Sequence, residues 1–111
     1  LEKELIPAAF QCMEVYVHAA HMEPFGFVFP EAAANDLPIV STPTGAALDF
    51  VNESTGKLAE YFNPQSIAEG VDEMLSNPEE AIKRGKEANR VAREMFKIDR
   101  MWNDYVALYK A

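Results

Sequence analysis

With 111 residues, 49% of them hydrophobic and 25% charged, the chain has the composition of one small globular domain or of part of a larger one. Its formal net charge of −8 argues against nucleic acid as a partner, because phosphate backbones are held by clustered Lys and Arg. No apolar run approaches the roughly 18 residues of a membrane span, and no basic start leads into an apolar stretch, so the sequence predicts a cytoplasmic domain.

Leu1 to Met13 opens with charged residues and predicts a short helix from Pro7, because Ile6 before a proline is biased toward extended backbone. Phe10 and Cys12 or Met13 are expected to point inward. Cys12, the one cysteine, has no partner for a disulfide or a thiolate metal site; it is read as a small buried apolar residue in a reducing compartment. Glu14 to Ala19 has the β-branched and aromatic character of a strand buried on both faces. Its end delivers Ala20-His21-Met22 into Glu23-Pro24-Phe25-Gly26-Phe27-Val28-Phe29-Pro30-Glu31. That stretch reads as a loop turning into a helix, with Gly26 permitting close backbone approach, Pro30 at a first helical position and Glu31 in the first turn. Two carboxylates then flank exposed backbone N–H groups, an arrangement suited to anions.

Asn35-Asp36 is expected to end this helix, with Asn in a left-handed cap, and Pro38 to Ser41 reads as a second strand parallel to the first. Thr42 to Ala46 forms the next loop at a strand's carboxyl end, Ala46 to Val51 a short helix, Asn52 to Gly56 a turn and Lys57 to Ala59 a brief third strand. Asn63-Pro64 and Asn77-Pro78 each signal a helix start. The first helix has an apolar face of Ile67, Val71, Met74 and Leu75; the second carries a stripe of Ala81, Gly85, Ala88, Ala92 and Met95. Lys83, Arg84, Lys86, Arg90 and Arg93 read as the solvated face of that second helix, with contact to a membrane surface or an anionic partner as the lesser alternative. Asp99 is a plausible cap for a terminal helix within residues 97–111, whose Trp102, Tyr105, Val106 and Tyr109 are expected to pack on the domain.

The stretch from Glu23 to Glu31, with Glu31-Ala32-Ala33-Ala34, Leu37 to Thr42, Thr44-Gly45 and Asp49 beyond it, resembles the E-x7-E region of retaining GT-B glycosyltransferases of family 4 and the glycogen-synthase type. The resemblance runs from about Leu5 to Tyr109 and is specific from Glu23 to Val40. It implies an α/β fold: a partial Rossmann-like parallel sheet of about three strands with flanking helices, the second half of a GT-B C-terminal domain. Residues 1–111 would then be a single partial domain.

By that resemblance Glu31 meets the ribose hydroxyls of a nucleotide sugar, and Glu23, the catalytic candidate, lies near the donor sugar. Backbone amides around Phe25, Gly26, Phe27 and Val28 meet the sugar or the diphosphate. The family commonly has paired glycines where this chain has Thr44-Gly45, and a side chain at Thr44 restricts close approach there. No cofactor or metal is expected, since His18 and His21 lack companions at ligand spacing; both read as structural or solvated, with His21 close enough to the loop to line a cleft. The expected partners are a nucleotide sugar and either a missing N-terminal domain or a second copy pairing across the unpaired edge of the first strand. The fragment alone is expected to be inactive, and a noncatalytic α/β assembly module remains the alternative.

Overall fold

A 3-10 turn (Lys3–Leu5) runs directly into α1 (Ile6–Gln11), which begins one residue before the expected start and leaves Pro7 in the first turn, where its missing N–H has no partner to lose. The computed structural model describes residues 2–111; Leu1 lies outside them. Phe10 is buried as expected, but Cys12 and Met13 are both exposed, where one of the two was expected to point inward and Cys12 to be buried. The helix ends at Gln11, and Cys12 is left as its outward-facing cap rather than part of an inward stripe.

β1 (Tyr16–His18), β2 (Ile39–Ser41) and β3 (Gly56–Leu58) form a parallel sheet in the order β1-β2-β3, with Tyr16 opposite Ile39 and Ile39 opposite Gly56. Only β2 is buried on both faces. β1 is the sheet's edge, as expected, but its Val17 is exposed, so the prediction of a doubly buried first strand fails. The helix beneath that face, α4 (Pro64–Ser76), packs chiefly under β2 and β3.

The opposite face is covered by α2 (Val28–Ala34), α3 (Ala47–Phe50) and α5 (Pro78–Met95). Successive side chains of a strand point to opposite sides, so Ile39 joins Phe29, Phe50 and Ala88 in the larger core while Val40 joins Met74 and Ala81 in the smaller. Phe29 and Phe50 are fully buried, each worth about 1.5–3 kcal/mol. The small-residue stripe of α5 is buried at Ala81, Gly85, Ala88 and Ala92; a methyl group at Gly85 would strike the Asp36 carbonyl, so this helix can lie so close only without one.

Several boundaries shift by a residue or two for identifiable reasons. α2 starts at Val28, which makes Pro30 its third residue, still within the turn whose N–H groups lack helical acceptors. The left-handed residue after α2 is Asp36 (φ 57°), not Asn35, whose side chain instead donates to the Glu31 carbonyl. The Asn63 side chain accepts from the Ser66 N–H at 3.1 Å as a cap should, whereas Asn77 makes no such bond. On α4, Met74 is buried but Leu75 is exposed.

The terminal helix α6 (Ile98–Lys110) follows Lys97 rather than an Asp99 cap, and none of its residues is buried. Trp102, Tyr105 and Tyr109 are all exposed and only Val106 of the four is half-buried, so the expectation that the three aromatics pack on the domain is wrong. Its periodicity makes an amphipathic helix, but no element of the described chain lies against its outer length. The basic face of α5 is solvated as expected at Lys83, Lys86, Arg90 and Arg93, but not at Arg84, whose side chain is only 12% exposed and bridges Glu73 and Glu80. Among the described residues no helix is long and apolar enough to cross a membrane.

Candidate functional site

β1 runs out at His18, and the chain then crosses the carboxyl end of the sheet as the loop to α2, the position where parallel α/β sheets hold ligands. Three contacts from the β2–α3 loop fix that crossing. The Glu23 N–H donates to Thr44 Oγ1 at 2.8 Å, the Ala46 N–H donates to the Phe25 carbonyl at 2.6 Å, and Thr42 Oγ1 donates to the Ala20 carbonyl at 2.5 Å. Thr44 is buried, and its hydroxyl is spent on the neighbouring loop.

Glycines make the two loops fit. Gly45 has φ +53°, and a Cβ there would land on the Phe25 carbonyl; Gly26 has φ +86°, with its absent Cβ 2.7 Å from the Phe29 ring and 2.8 Å from Glu23 Cγ. The turn at Gly26 carries the chain over Phe29, the anchor of α2 in the core. Beyond it, the Phe29 N–H donates to the Gly26 carbonyl at 3.1 Å and the Glu31 N–H to the Phe27 carbonyl at 3.1 Å. The N–H groups of Gly26, Phe27 and Val28 meet no acceptor among the described residues. α2 has seven residues, too short for a large dipole, so those amides are the principal donors here.

Glu23 is half-buried and Glu31 is exposed. Both lie close enough to Tyr16 to act on it: burial raises the Tyr16 phenol above its ordinary value of 10.0, and the charges of Glu23 and Glu31 push the same way. Both carboxylates thus lie within electrostatic reach of the same tyrosine. The Glu31 carboxylate makes no hydrogen bond or ion pair within the described chain, while Glu23 Oε2 lies 3.4 Å from His18 Nε2.

Phe25 is engaged by its own fold. Its ring meets Phe27 at 5.0 Å and Phe96 at 5.6 Å, both edge to face, and its carbonyl is taken by Ala46. Phe27 is exposed and Val28 half-buried. An apolar groove of about 740 Å³ runs between Phe25, Phe27 and Pro30 on one side and Phe96, Met101 and Tyr105 on the other, and takes in neither Glu23 nor Glu31. Among the described residues no three His, Cys, Asp or Glu side chains come together as a metal site would require.

The histidines separate. His21 turns away to Tyr61 and Phe62, at 5.5 and 4.8 Å between ring centres. His18 faces Glu23 instead, a neighbour that reading both histidines alike does not anticipate. The available signal is strand alternation, which puts Tyr16 and His18 on one face two residues apart, with a hydrogen bond of 3.1 Å between the phenol and Nδ1.

Residues 1–91 match the family model described as "Glycosyl transferases group 1". Among curated proteins, the O-antigen chain mannosyltransferase C of Escherichia coli is 30% identical over 104 residues, which take in 90% of this chain and 28% of that protein. The C-terminal domain of a glycosyl transferase group 1 family protein (LpcC) from Francisella tularensis superposes with a TM-score of 0.80 at 26% identity, covering 87% of this chain and 50% of that one. HepE of Anabaena, solved in complex with UDP, superposes with a TM-score of 0.82 at 20% identity, over 95% of this chain and 29% of that one. The chain thus spans less than a third of the curated relatives it matches first. The sheet and its helices have the expected α/β architecture of such a C-terminal domain.

Proposed function

This chain belongs to the group 1 glycosyl transferases, with the fold of a GT-B C-terminal domain, and we propose that it is the part of a retaining transferase that holds the nucleotide-sugar donor. The observation that carries the reading is the loop from Glu23 to Glu31 at the sheet's carboxyl end. Two carboxylates that both act on Tyr16 stand at its ends, and N–H groups at Gly26, Phe27 and Val28 that meet no acceptor among the described residues lie between. Each part suits a different part of such a ligand. An ionised carboxylate accepts two hydroxyl hydrogen bonds, which fits Glu31 for a ribose and Glu23 for the sugar. Backbone amides supply donors to the diphosphate oxygens, whose charge grows as the bond to the sugar breaks. The transferring carbon gains positive character in the same step, which the Glu23 carboxylate is placed to offset.

No resident metal or cofactor enters this proposal, because the charge is met by amides and by groups of the remaining protein. Acceptor binding and turnover are assigned to a further N-terminal domain, and the isolated chain is proposed to bind without transferring. The reading also places the domain in the cytoplasm, where a lone exposed thiol such as Cys12 stays reduced. UDP is the first nucleotide to test, since HepE binds it.

Calorimetric titration of UDP-, GDP- and ADP-glucose tests the proposal. Binding of one of them, weakened about tenfold to a hundredfold in Glu31→Ala, supports it. Failure of all three would overturn it and favour a noncatalytic module, a reading for which the exposed apolar face of α6 speaks.

A further inference from the structure

We propose that Tyr16, His18 and Glu23 form a hydrogen-bonded relay that presets the Glu23 carboxylate, which makes His18 a positioning residue of the donor site. The proposal rests on the reading of Glu23 given above and adds to it how that side chain is held.

The His18 ring is pinned before any ligand arrives. The Phe29 ring meets it edge to face at 4.8 Å, and the Tyr16 ring stacks beside it at 6.0 Å. Held in this way, Nδ1 lies 3.1 Å from the Tyr16 hydroxyl, while Nε2 is buried, has no hydrogen-bond partner and lies 3.4 Å from Glu23 Oε2. A buried polar atom left unpaired calls for a reason, and among the described residues the acidic group beside this one belongs to the motif.

Chemistry then selects the direction of the relay. Burial, and after it the charges of Glu23 and Glu31, keep the Tyr16 phenol protonated and able to donate to Nδ1, whereas the carboxylate that Nε2 faces can only accept. In a neutral ring the proton must then reside on Nε2, where it points at a carboxylate. The opposite tautomer would set a nitrogen lone pair against a carboxylate oxygen, two acceptors facing each other. The groups around the ring are thus Tyr16 on β1, Glu23 on the loop, Phe29 on α2 and, through Tyr16, Glu31 on α2. A small rotation of Glu23 shortens the contact to the roughly 2.7–2.9 Å of a charge-assisted bond. One carboxylate oxygen is then held by His18, leaving the other to accept a sugar hydroxyl. Fixing the rotamer in advance removes an ordering cost from binding.

The relay predicts that nitrogen NMR of the 111-residue chain finds the His18 ring with the proton on Nε2, and that Tyr16→Phe erodes this preference. It also predicts a split between ligands, taking whichever of UDP-, GDP- and ADP-glucose binds. His18→Phe should weaken the nucleotide sugar about tenfold while leaving the matching nucleoside diphosphate unchanged. His18→Gln, which retains an N–H donor, should recover part of the loss. A proton on Nδ1, or an unchanged nucleotide-sugar affinity in His18→Phe, would overturn the relay and leave the donor-site reading standing. If no nucleotide sugar binds the wild-type chain, that reading fails, and the tautomer alone decides the relay.

Discussion

The loop from Glu23 to Glu31 and the helix α6 are both rich in apolar side chains, yet they are held in opposite ways. The loop is tied to the β2–α3 loop through Thr42, Thr44 and Ala46, turns on Gly26, and seats Phe29 in the main core. α6 has no buried residue, and Ile98, Trp102, Leu108 and Tyr109 are all largely exposed, Trp102 the least so at 66%. The difference separates pattern from placement. An amphipathic period says which side of a helix is apolar, whereas hydrogen bonds and excluded volume decide where a segment lies.

Substitution separates the two regions most sharply at Gly45. Gly45→Ala forces a side chain into φ +53° and drives it against the Phe25 carbonyl, so it should lower stability by about 3 kcal/mol, measured by denaturant unfolding. A loss under about 1 kcal/mol would show that the two loops part easily. Thr44→Val is milder. It removes the acceptor for the partly buried Glu23 N–H and should lower stability by about 1–2 kcal/mol, with nucleotide-sugar affinity falling alongside.

A charge network away from both regions gives a smaller effect with a defined sign. Burial would raise the Glu73 carboxyl, but hydrogen bonds and charge from Arg84 and Lys57 outweigh it and hold the group below its ordinary value of 4.5. Its stabilisation is therefore present above that value and is lost as pH falls through the depressed one. Glu73→Gln should flatten the acid limb of the melting temperature against pH, modestly because the side chain is 39% exposed. The smallest response belongs to α6: Trp102→Ala and Leu108→Ala should each leave the chain's stability within about 0.5 kcal/mol, against several for a buried aromatic.

These contrasts also explain what was legible beforehand. The alternation of strands and helices, the Asn63 cap and the small-residue stripe of α5 are local signals, and the structure agrees with them. The turn into a helix between Glu23 and Glu31 was legible from Gly26 and Pro30, whereas its reading as a donor site came from the family resemblance and not from the spacing of the two glutamates. The exposure of α6 and Cys12 was not, because periodicity and composition do not say what covers a face. The setting of His18 was missed for a related reason: a single histidine in a strand has no spacing to read, and its meaning comes from Tyr16 two residues earlier and Glu23 across a turn. Thr44, read for the close approach that its side chain restricts, has a second role that no sequence pattern announces: it is the acceptor that ties the two loops together.

The central claim is that the loop between the two glutamates receives the donor. Mapping amide shifts of the chain while titrating UDP-glucose tests it most directly. The account predicts saturable changes concentrated from Glu23 to Glu31, strongest at the N–H groups of Gly26, Phe27 and Val28, with α6 and the basic face of α5 unmoved. Changes confined to α6 or to Lys83, Lys86 and Arg90, with that loop silent, would contradict it.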